Sequence, residues 1–519
     1  MSQPAPVDPQ TIVDAVAKGY AFSGACLELG AVVVDGTAYP TGPVRIPLSM
    51  MNRHGLVAGA TGTGKTKTLQ LMAEQCSAAG VPVFLADVKG DLSGMSVAGV
   101  ANDKITARST DIGVPWAPTA YPLEYLALGG EGVGVPVRAT ITSFGPILLS
   151  RVLDLNQTQE SSLQLVFHFA DTNGLALLDL KDLRAVVQHL VSDEGKPQLE
   201  ALGGLSKATA GVILRELLTF EAEGMDKFFG EPEFDSADLL RTAPDGRGIV
   251  TCLELPSLQD RPALFSTFLM WLLADLFQEL PEVGDLDKPK LVFFLDEAHL
   301  LFNGASKAFL TSITQTVRLI RSKGVGVFFV TQTPKDVPDD VLAQLANRVQ
   351  HALRAYTPDD AKALKATVST FPKSAYDLAE VLPACGIGEA VITVMSERGA
   401  PTPVAWTRMR APSSLMGPAD AAAVTATVAA SPLTAEYGTA VDRASAYEAL
   451  TARLAPAPPP VAERPPEQPM TEAPPEGGLE SAMKNPVVKA VAVTAATAIT
   501  RQIFRGLFGT ASRTSRRRR

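Results

Sequence analysis

Cysteine is scarce in this chain. Four residues in 519, Cys26, Cys76, Cys252 and Cys385, lie far apart with no C-x-x-C pair. That excludes a disulfide framework and a cysteine-based zinc site, and it fits small buried residues of a reduced cytoplasm. Histidine is nearly as rare, with five residues. His168 and His189 fall in helical patterns with no second ligand at metal spacing, so they read as ordinary helix residues. Long hydrophobic runs are missing too. The greasiest stretch, Leu264–Leu273, is too short to span a bilayer and contains Ser266 and Thr267. The opening MSQPAPVDPQ has neither a basic n-region nor an apolar h-region, so no secretory signal is expected and the predicted location is cytoplasmic. A net excess of positive charge stands at the carboxyl end, against an acidic remainder. The chain carries a net −9; Ala482–Arg519 holds nine Lys/Arg and no Asp/Glu, which leaves about −18 on the rest by subtraction. An acidic body does not favour general nucleic-acid affinity, so any such contact must come from local patches, loops or the tail.

What is present is organised around one stretch, His54–Gln75. Within it Gly59, Gly64, Lys65 and Thr66 satisfy G-x-x-x-x-G-K-[ST], in which backbone N–H groups and a helix N-terminus cradle phosphates. An apolar run, Leu56-Val57-Ala58, precedes the loop, and Leu69, Leu71, Met72 and Ala73 follow at helical spacing. The motif therefore sits at a strand-to-helix junction, where its mechanism requires it. The predicted contacts of a triphosphate are Gly59, Ala60, Thr61, Gly62, Thr63, Gly64, Lys65, Thr66 and Thr68. Lys65 would reach the β/γ-phosphates, and Thr66 would hold Mg²⁺ through its hydroxyl.

The chain is too long for one ordinary core. Residues 1–50 read as a short strand-rich lead-in, with an amphipathic opening over Pro9–Lys18 and a strand at Ala31–Val34. Residues 51–94 form the first part of a nucleotide-binding core. There Val81–Ala86 is a buried strand that ends in Asp87-Val88-Lys89-Gly90-Asp91; Asp87 and Lys89 either point into a ligand crevice or form a solvated turn. Residues 95–247 read as a mainly helical insertion, from the apolar spacing of Thr158–Ala170, Lys181–Leu190 and Gly211–Phe220. The core resumes over 248–410 with a strand at Gly248–Leu253 and a helix at Leu264–Phe277. Strand and helix in alternation predict a parallel sheet with right-handed crossovers. Residues 411–454 are a helical extension.

The most apolar strand, Leu291–Leu295, ends in Asp296-Glu297-Ala298-His299. A strand buried on both faces reads as such a continuous run, and its carboxyl end would lie beside the phosphate loop. Asp296 would bind Mg²⁺, and Glu297 would act as general base on the attacking water. A helix over Lys307–Ser322 carries Arg318 and Arg321, and a strand at Val325–Val330 delivers Thr331-Gln332. Gln332 can hydrogen-bond the γ-phosphate or the lytic water without competing for its proton. Arg321 or Arg318 is a candidate for acting on a neighbouring subunit's nucleotide, or is a surface arginine. A short helix, Asp339–Ala346, precedes a strand at Arg348–Arg354, whose Arg354 is a weaker phosphate candidate. Residues 389–394 and 404–409 read as a terminal hairpin.

This order of motifs (phosphate loop, Asp-Lys-Gly-Asp turn, insertion, Leu-Glu-Leu-Pro-Ser strand, hhhhDEAH, Thr-Gln) resembles the HerA/FtsK superfamily of hexameric ATP-driven DNA pumps. It is most similar to the bacterial HerA-like ATPases called YjgR-like. The resemblance covers about Ala31–Met409. It implies an α/β fold of the RecA-like P-loop NTPase type with a mainly parallel central sheet, ATP and Mg²⁺ as ligands, and a homohexamer acting on double-stranded DNA. The family's functional positions fall on Lys65, Thr66, Asp296, Glu297 and Gln332, with Arg321 in an Arg-Ser-Lys-Gly spelling of the family's arginine region. The DEAH tetrapeptide is not that of a DEAH-box helicase, whose other motifs are missing.

At the carboxyl end, Ala455–Glu476 holds nine prolines in 22 residues, a disordered linker (455–480) too poor in bulky apolar residues to fold. The basic tail, 481–519, would be amphipathic as a helix and suited to DNA phosphates or an anionic membrane surface, or else a solubilising tail. The expected function is an ATP-hydrolysing ring motor that translocates duplex DNA. The alternatives are an ATP-gated assembly or scaffold protein acting on a protein or membrane partner, and a small-molecule kinase.

Overall fold

The structure is a computed structural model and describes residues 8–454 apart from 202–203, 257–261, 304 and 306. The expected Pro-rich linker and basic tail lie outside the described residues. The described residues divide into two compact units, one within 8–139 and 222–441, the other within 140–221 and 442–454.

The first unit is built on a twelve-stranded sheet. In chain order the strands are β1 (Cys26–Val34), β2 (Thr37–Pro47), β3 (Gly55–Ala58), β4 (Val83–Asp87), β5 (Leu123–Leu128), β6 (Val135–Val137), β7 (Val250–Glu254), β8 (Leu291–Leu295), β9 (Val325–Thr331), β10 (Asn347–His351), β11 (Glu389–Thr393) and β12 (Ala405–Met409). Across the sheet they run β2-β1-β12-β11-β10-β3-β9-β8-β4-β7-β5-β6. From β10 to β6 every pairing is parallel, and from β10 out to β2 every pairing is antiparallel. The central strands β3, β4, β8 and β9 are buried at every position. Continuous apolar runs belong in such a place, because helices cover both faces of a parallel sheet. One consequence matters most for the site. The carboxyl ends of β10, β3, β9, β8, β4 and β7 all open on the same edge, where α/β sheets bind ligands.

Several local expectations differ from the structure. The segment 95–247 is not helical throughout, since β5 and β6 lie within it and extend the sheet beyond β7. Its helix α3 (Asp103–Ile112) precedes them, and the compact helical part begins at residue 140. The lead-in contributes β1 and β2 to the same sheet, β1 pairing with β12, after a first helix α1 (Pro9–Gly19). The helix expected over Asp339–Ala346 stops at Leu342, because the Ala346 and Asn347 N–H groups already donate to the carbonyls of Arg53 and His54. Strand β10 stops at His351, because the next carbonyl, Ala352, turns to accept from the phosphate loop.

The second unit contains helices Gln157–Thr172 and Leu180–Leu190, both opened by capping boxes, at Asn156/Gln159 and Asp179/Asp182. Asp182 is fully buried. It accepts from the N–H groups of Leu178 and Asp179, and also from the Ser445 hydroxyl and the Tyr447 N–H, which ties the helix Ala446–Leu454 to this unit. His189 is buried against Phe169, their ring centroids 6.0 Å apart, and His168 is exposed. No described helix is long and apolar enough to cross a membrane.

Candidate active site

The phosphate loop leaves β3 and enters helix α2 (Lys65–Ala78). Its backbone needs glycine at defined points. Gly59 has φ 155°, and a Cβ there would lie 2.5 Å from the Cβ of His351; Gly64 has φ 115°. L-residues resist both conformations. Gly64 occupies the N-cap of α2 and offers no side-chain cap. The first-turn N–H groups of a 14-residue helix are thus left for a ligand, with the helix dipole favouring an anion.

The loop is held from outside at several points. Gly59 N–H donates to the Thr331 carbonyl at 3.2 Å, Ala60 N–H to Ala352 at 2.8 Å, and the Thr63 carbonyl accepts from Gly388 N–H at 2.9 Å. Within the loop, Thr63 Oγ1 donates to the Ala60 carbonyl at 2.7 Å, and Lys65 Nζ to the same carbonyl at 3.2 Å. His351 stands behind the loop with no exposed surface. Its Nδ1 lies 2.8 Å from the Glu389 carbonyl, which can only accept, so Nδ1 carries the proton and Nε2 accepts from the Thr68 hydroxyl at 2.9 Å. Burial pushes the His351 pKa down to about 4, so the ring is neutral. Thr68 is therefore turned back into the protein, towards His351.

Two strands from β3, the acidic pair follows β8. Ala298 N–H donates to the Val330 carbonyl at 2.9 Å, which pins the pair beside the end of β9. Glu297 has φ 46°, a left-handed conformation that costs a non-glycine residue about 1 kcal/mol. One of its oxygens forms an ion pair with Lys89, and the other lies 3.2 Å from His299 Nδ1. Asp296 is 1% exposed, and neither of its carboxylate oxygens has a hydrogen-bond partner. Burial pushes its pKa up to about 7, against the pull of Lys89 and of the adjacent Glu297 N–H, which approaches the carboxylate without reaching hydrogen-bond geometry. Burial likewise lowers the Lys65 pKa, while the charges of Glu297 and Asp296 oppose that shift. The loop lysine and the acidic pair therefore share one electrostatic neighbourhood.

A buried carboxylate left without donors is costly unless a cation completes it. Asp296 and the Thr66 hydroxyl are oxygen donors of the kind Mg²⁺ prefers, with phosphate oxygens and water supplying the rest of its shell. The residues present fit that ion.

Lys89 reaches Glu297 because of the turn after β4. Asp87, wholly buried, accepts from Gly90 N–H and Leu92 N–H, each at 2.8 Å, and this folds the chain back so that Lys89 projects over the edge. The turn is thus neither solvated at Asp87 nor idle at Lys89. Asp87, Cys252 and Glu254 are the group of His, Cys, Asp or Glu side chains among the described residues that lie close enough together to share an ion, yet both Asp87 oxygens are committed to backbone.

Gln332 is exposed directly after β9. Asp336 shapes its turn, accepting from Thr331 Oγ1 at 2.8 Å and from Thr333 N–H at 3.0 Å. Arg321 is not brought to this edge. It lies in a 3₁₀ turn (Arg321–Lys323) before β9, at the amino end of the sheet, with Arg53 and Asp285 as its charged neighbours. The seven residues of β9 separate it from Gln332 by about 20 Å of strand. Arg318 is exposed on the preceding helix. Arg354 donates to the Pro383 carbonyl and not to the loop.

Sequence reasoning passed over His351, Gly388, Asp336 and Glu74. Glu74, buried in α2, accepts from the N–H and hydroxyl groups of both Ser413 and Ser414, latching the chain after β12 to the helix of the loop. A signal existed for His351 alone: a polar Gln-His pair closes a strand that neighbours the phosphate loop.

A parallel sheet that gathers a phosphate loop, an uncapped helix start and a buried, partnerless carboxylate on one edge defines the class as P-loop NTPase of the RecA-like type. Within that class, the chain belongs to the family described as Helicase HerA-like C-terminal, whose pattern matches residues 34–518. It is similar to the DNA double-strand break repair helicase HerA of Saccharolobus solfataricus, 22% identical over 360 residues, covering 67% of this chain and 63% of that protein. The HerA of Sulfurisphaera tokodaii is 22% identical over 353 residues, covering 67% and 64%. The chain therefore spans a little under two thirds of the length of these curated relatives. Among solved structures, the plasmid coupling protein TrwB in complex with ADP and Mg²⁺ is 16% identical, with a TM-score of 0.48, over 76% of this chain and 100% of that one.

Proposed function

We propose that the chain is a Mg²⁺-dependent ATPase, working as a homohexameric ring that moves along double-stranded DNA. The observation that carries the hydrolytic part is the pair of partnerless Asp296 oxygens beside a phosphate loop whose helix start is uncapped. ATP would lie with its β- and γ-phosphates in Gly59–Thr66, contacted by the loop N–H groups and by Lys65. Thr66 and Asp296 would hold Mg²⁺, which neutralises charge on the β/γ-phosphate oxygens.

Glu297 accepts the proton of the attacking water. Its strained backbone fixes its direction, and Lys89 stabilises its charge. Gln332, on the turn held by Asp336, donates to the γ-phosphate or orients that water. Within one chain the position of Arg321 leaves it nothing to do at its own nucleotide. A ring explains it, because a neighbouring subunit can then present Arg321 to the nucleotide's developing charge. The DNA part of the reading comes from family membership and from what the HerA relatives are named for, together with a tail rich in arginine.

The deciding measurement is the ATPase rate with and without duplex DNA, in wild type and Glu297→Gln. Stimulation by duplex that is lost in the variant, with nucleotide binding kept, supports the motor. The absence of stimulation and of salt-dependent DNA binding would favour an ATP-gated assembly protein instead.

A further inference from the structure

The helical unit holds a cleft of about 210 Å³ lined from the helices Leu180–Leu190, Lys207–Ala222 and Ala446–Leu454. The helix Lys207–Ala222 buries Ala210, Ile213, Leu217 and Phe220, the single apolar stripe expected of a surface helix. It carries a second one. Leu214 and Leu218, one turn apart, both line the cleft, and Leu218 is left 53% exposed. Tyr447 lines the same cleft at 44% exposure, with Lys181 Nζ 5.8 Å from its ring centroid. Apolar side chains gathered in one open cleft, beyond what the helix needs for its own packing, mark a surface that another segment covers.

The charged rim is net acidic. Lys181 Nζ lies within 3.8 Å of Asp179, Asp442 and Glu448, and Arg184 is paired with Glu221, so four carboxylates surround two cations. The chain itself supplies a segment of the opposite sign. One wall of the cleft, Ala446–Leu454, is the last described element, and residues 455–519 continue from it. Among them Ile499, Ile503 and Leu507 stand four residues apart, with Phe504 and Phe508 beside them and Arg501 and Arg505 between. In a helix those apolar residues share one side, the spacing of a segment that lies in a groove. Residues 455–498 give it ample reach, and a segment tethered to the wall of its own site needs only a weak contact to stay there. The family pattern that matches the chain also runs on to residue 518, through this tail.

We infer that this cleft seats the chain's own basic tail, with Ile499, Ile503 and Leu507 against Leu214, Leu218 and Tyr447, and with Arg501 and Arg505 at the acidic rim. Hydrogen exchange of the full chain, read by mass spectrometry without DNA or lipid, tests it. The amides of 499–508 should exchange about tenfold or more slowly than in a free peptide of the same residues. Leu218→Lys changes an exposed position, leaves the core packing alone and adds a charge that repels the tail. It should return those amides to within about twofold of the peptide. Ile503→Gln, a change in the tail alone, should do the same. Amides that are unprotected in wild type overturn the proposal. So does protection that survives Leu218→Lys, because the tail would then be held elsewhere, and so does protection that appears only when duplex DNA or anionic vesicles are added. Protection that fades on dilution would assign the cleft to another copy's tail and overturn the tethered arrangement.

Discussion

Two buried aspartates, one in each unit, meet opposite circumstances. Asp182, in the helical unit, receives hydrogen bonds from three backbone N–H groups and a hydroxyl. Asp296, at the carboxyl edge of the sheet, receives none, although it is equally hidden from water. The first arrangement holds the backbone together: the carboxylate closes one helix and ties a second to it. The second keeps its lone pairs for something that is not protein. Glu74 in the first unit follows the pattern of Asp182, with four donors from Ser413 and Ser414. The lesson is that a buried acid is read by its donors and not by its burial. Functional sites keep such unsatisfied groups at a cost in stability.

The comparison breaks most visibly at the neighbour of Asp296. Glu297→Gln should lower ATP turnover about 10²- to 10⁴-fold while nucleotide binding persists, measured by phosphate release and by calorimetry. A loss of binding in step with turnover would show that Glu297 is structural, like Asp182.

Asp296→Asn tests the contrast itself. Hydrolysis should fall about 100-fold or more. Stability at pH 8, from chemical denaturation, should stay level or rise by about 2 kcal/mol, because a desolvated charge is gone. The sign with pH follows from a folded-state pKa raised to about 7. The wild-type carboxyl picks up a proton in the folded state before it does in the unfolded chain, so wild type gains on the variant as pH falls below 7. A variant less stable than wild type at pH 8 would mean that the carboxylate has partners.

Asp182→Asn should do the reverse. Its amide nitrogen would face N–H donors and leave them unpaired, costing the helical unit about 2 kcal/mol, with ATP turnover per folded molecule unchanged. Hydrogen exchange localised to the helices Leu180–Leu190 and Ala446–Leu454 is the readout.

The smallest effect concerns His351. Its pKa of about 4 lies below the unfolded value near 6.5, so its neutral form favours folding above 6.5, and that share is lost as pH falls towards 4. His351→Gln should flatten this acid slope by roughly 1–2 kcal/mol after relaxation of the site. A slope identical to wild type would mean that the ring is already charged in the folded protein.

Much of the site was legible because its signals are local. A phosphate loop needs glycines at fixed offsets, and Leu291–Leu295 is too apolar and too short to be anything but a central strand. The turn of Asp87–Asp91 was visible as a turn. That Lys89 pairs with Glu297 was not, since the two are joined only by the adjacency of β4 and β8. Strands β5 and β6 were missed for a similar reason. Leu123–Leu128 has no alternation to betray a strand, and it is the ladder with β7 that makes it one.

By itself, the sequence singled out the residues proposed to cradle phosphate, bind Mg²⁺ and activate water. Backbone freedom, charge and strand burial are properties of short stretches, and they survive without knowledge of the fold. Tertiary structure alone decided who stands next to whom. It set His351 behind Gly59, bonded Gly388 to Thr63 and gave Asp182 the donors it withheld from Asp296. It also carried Arg321 to the far end of the sheet, about 20 Å of strand from Gln332. Those outcomes depend on strand order, and strand order comes from which apolar faces pack together across hundreds of residues, which no local pattern records.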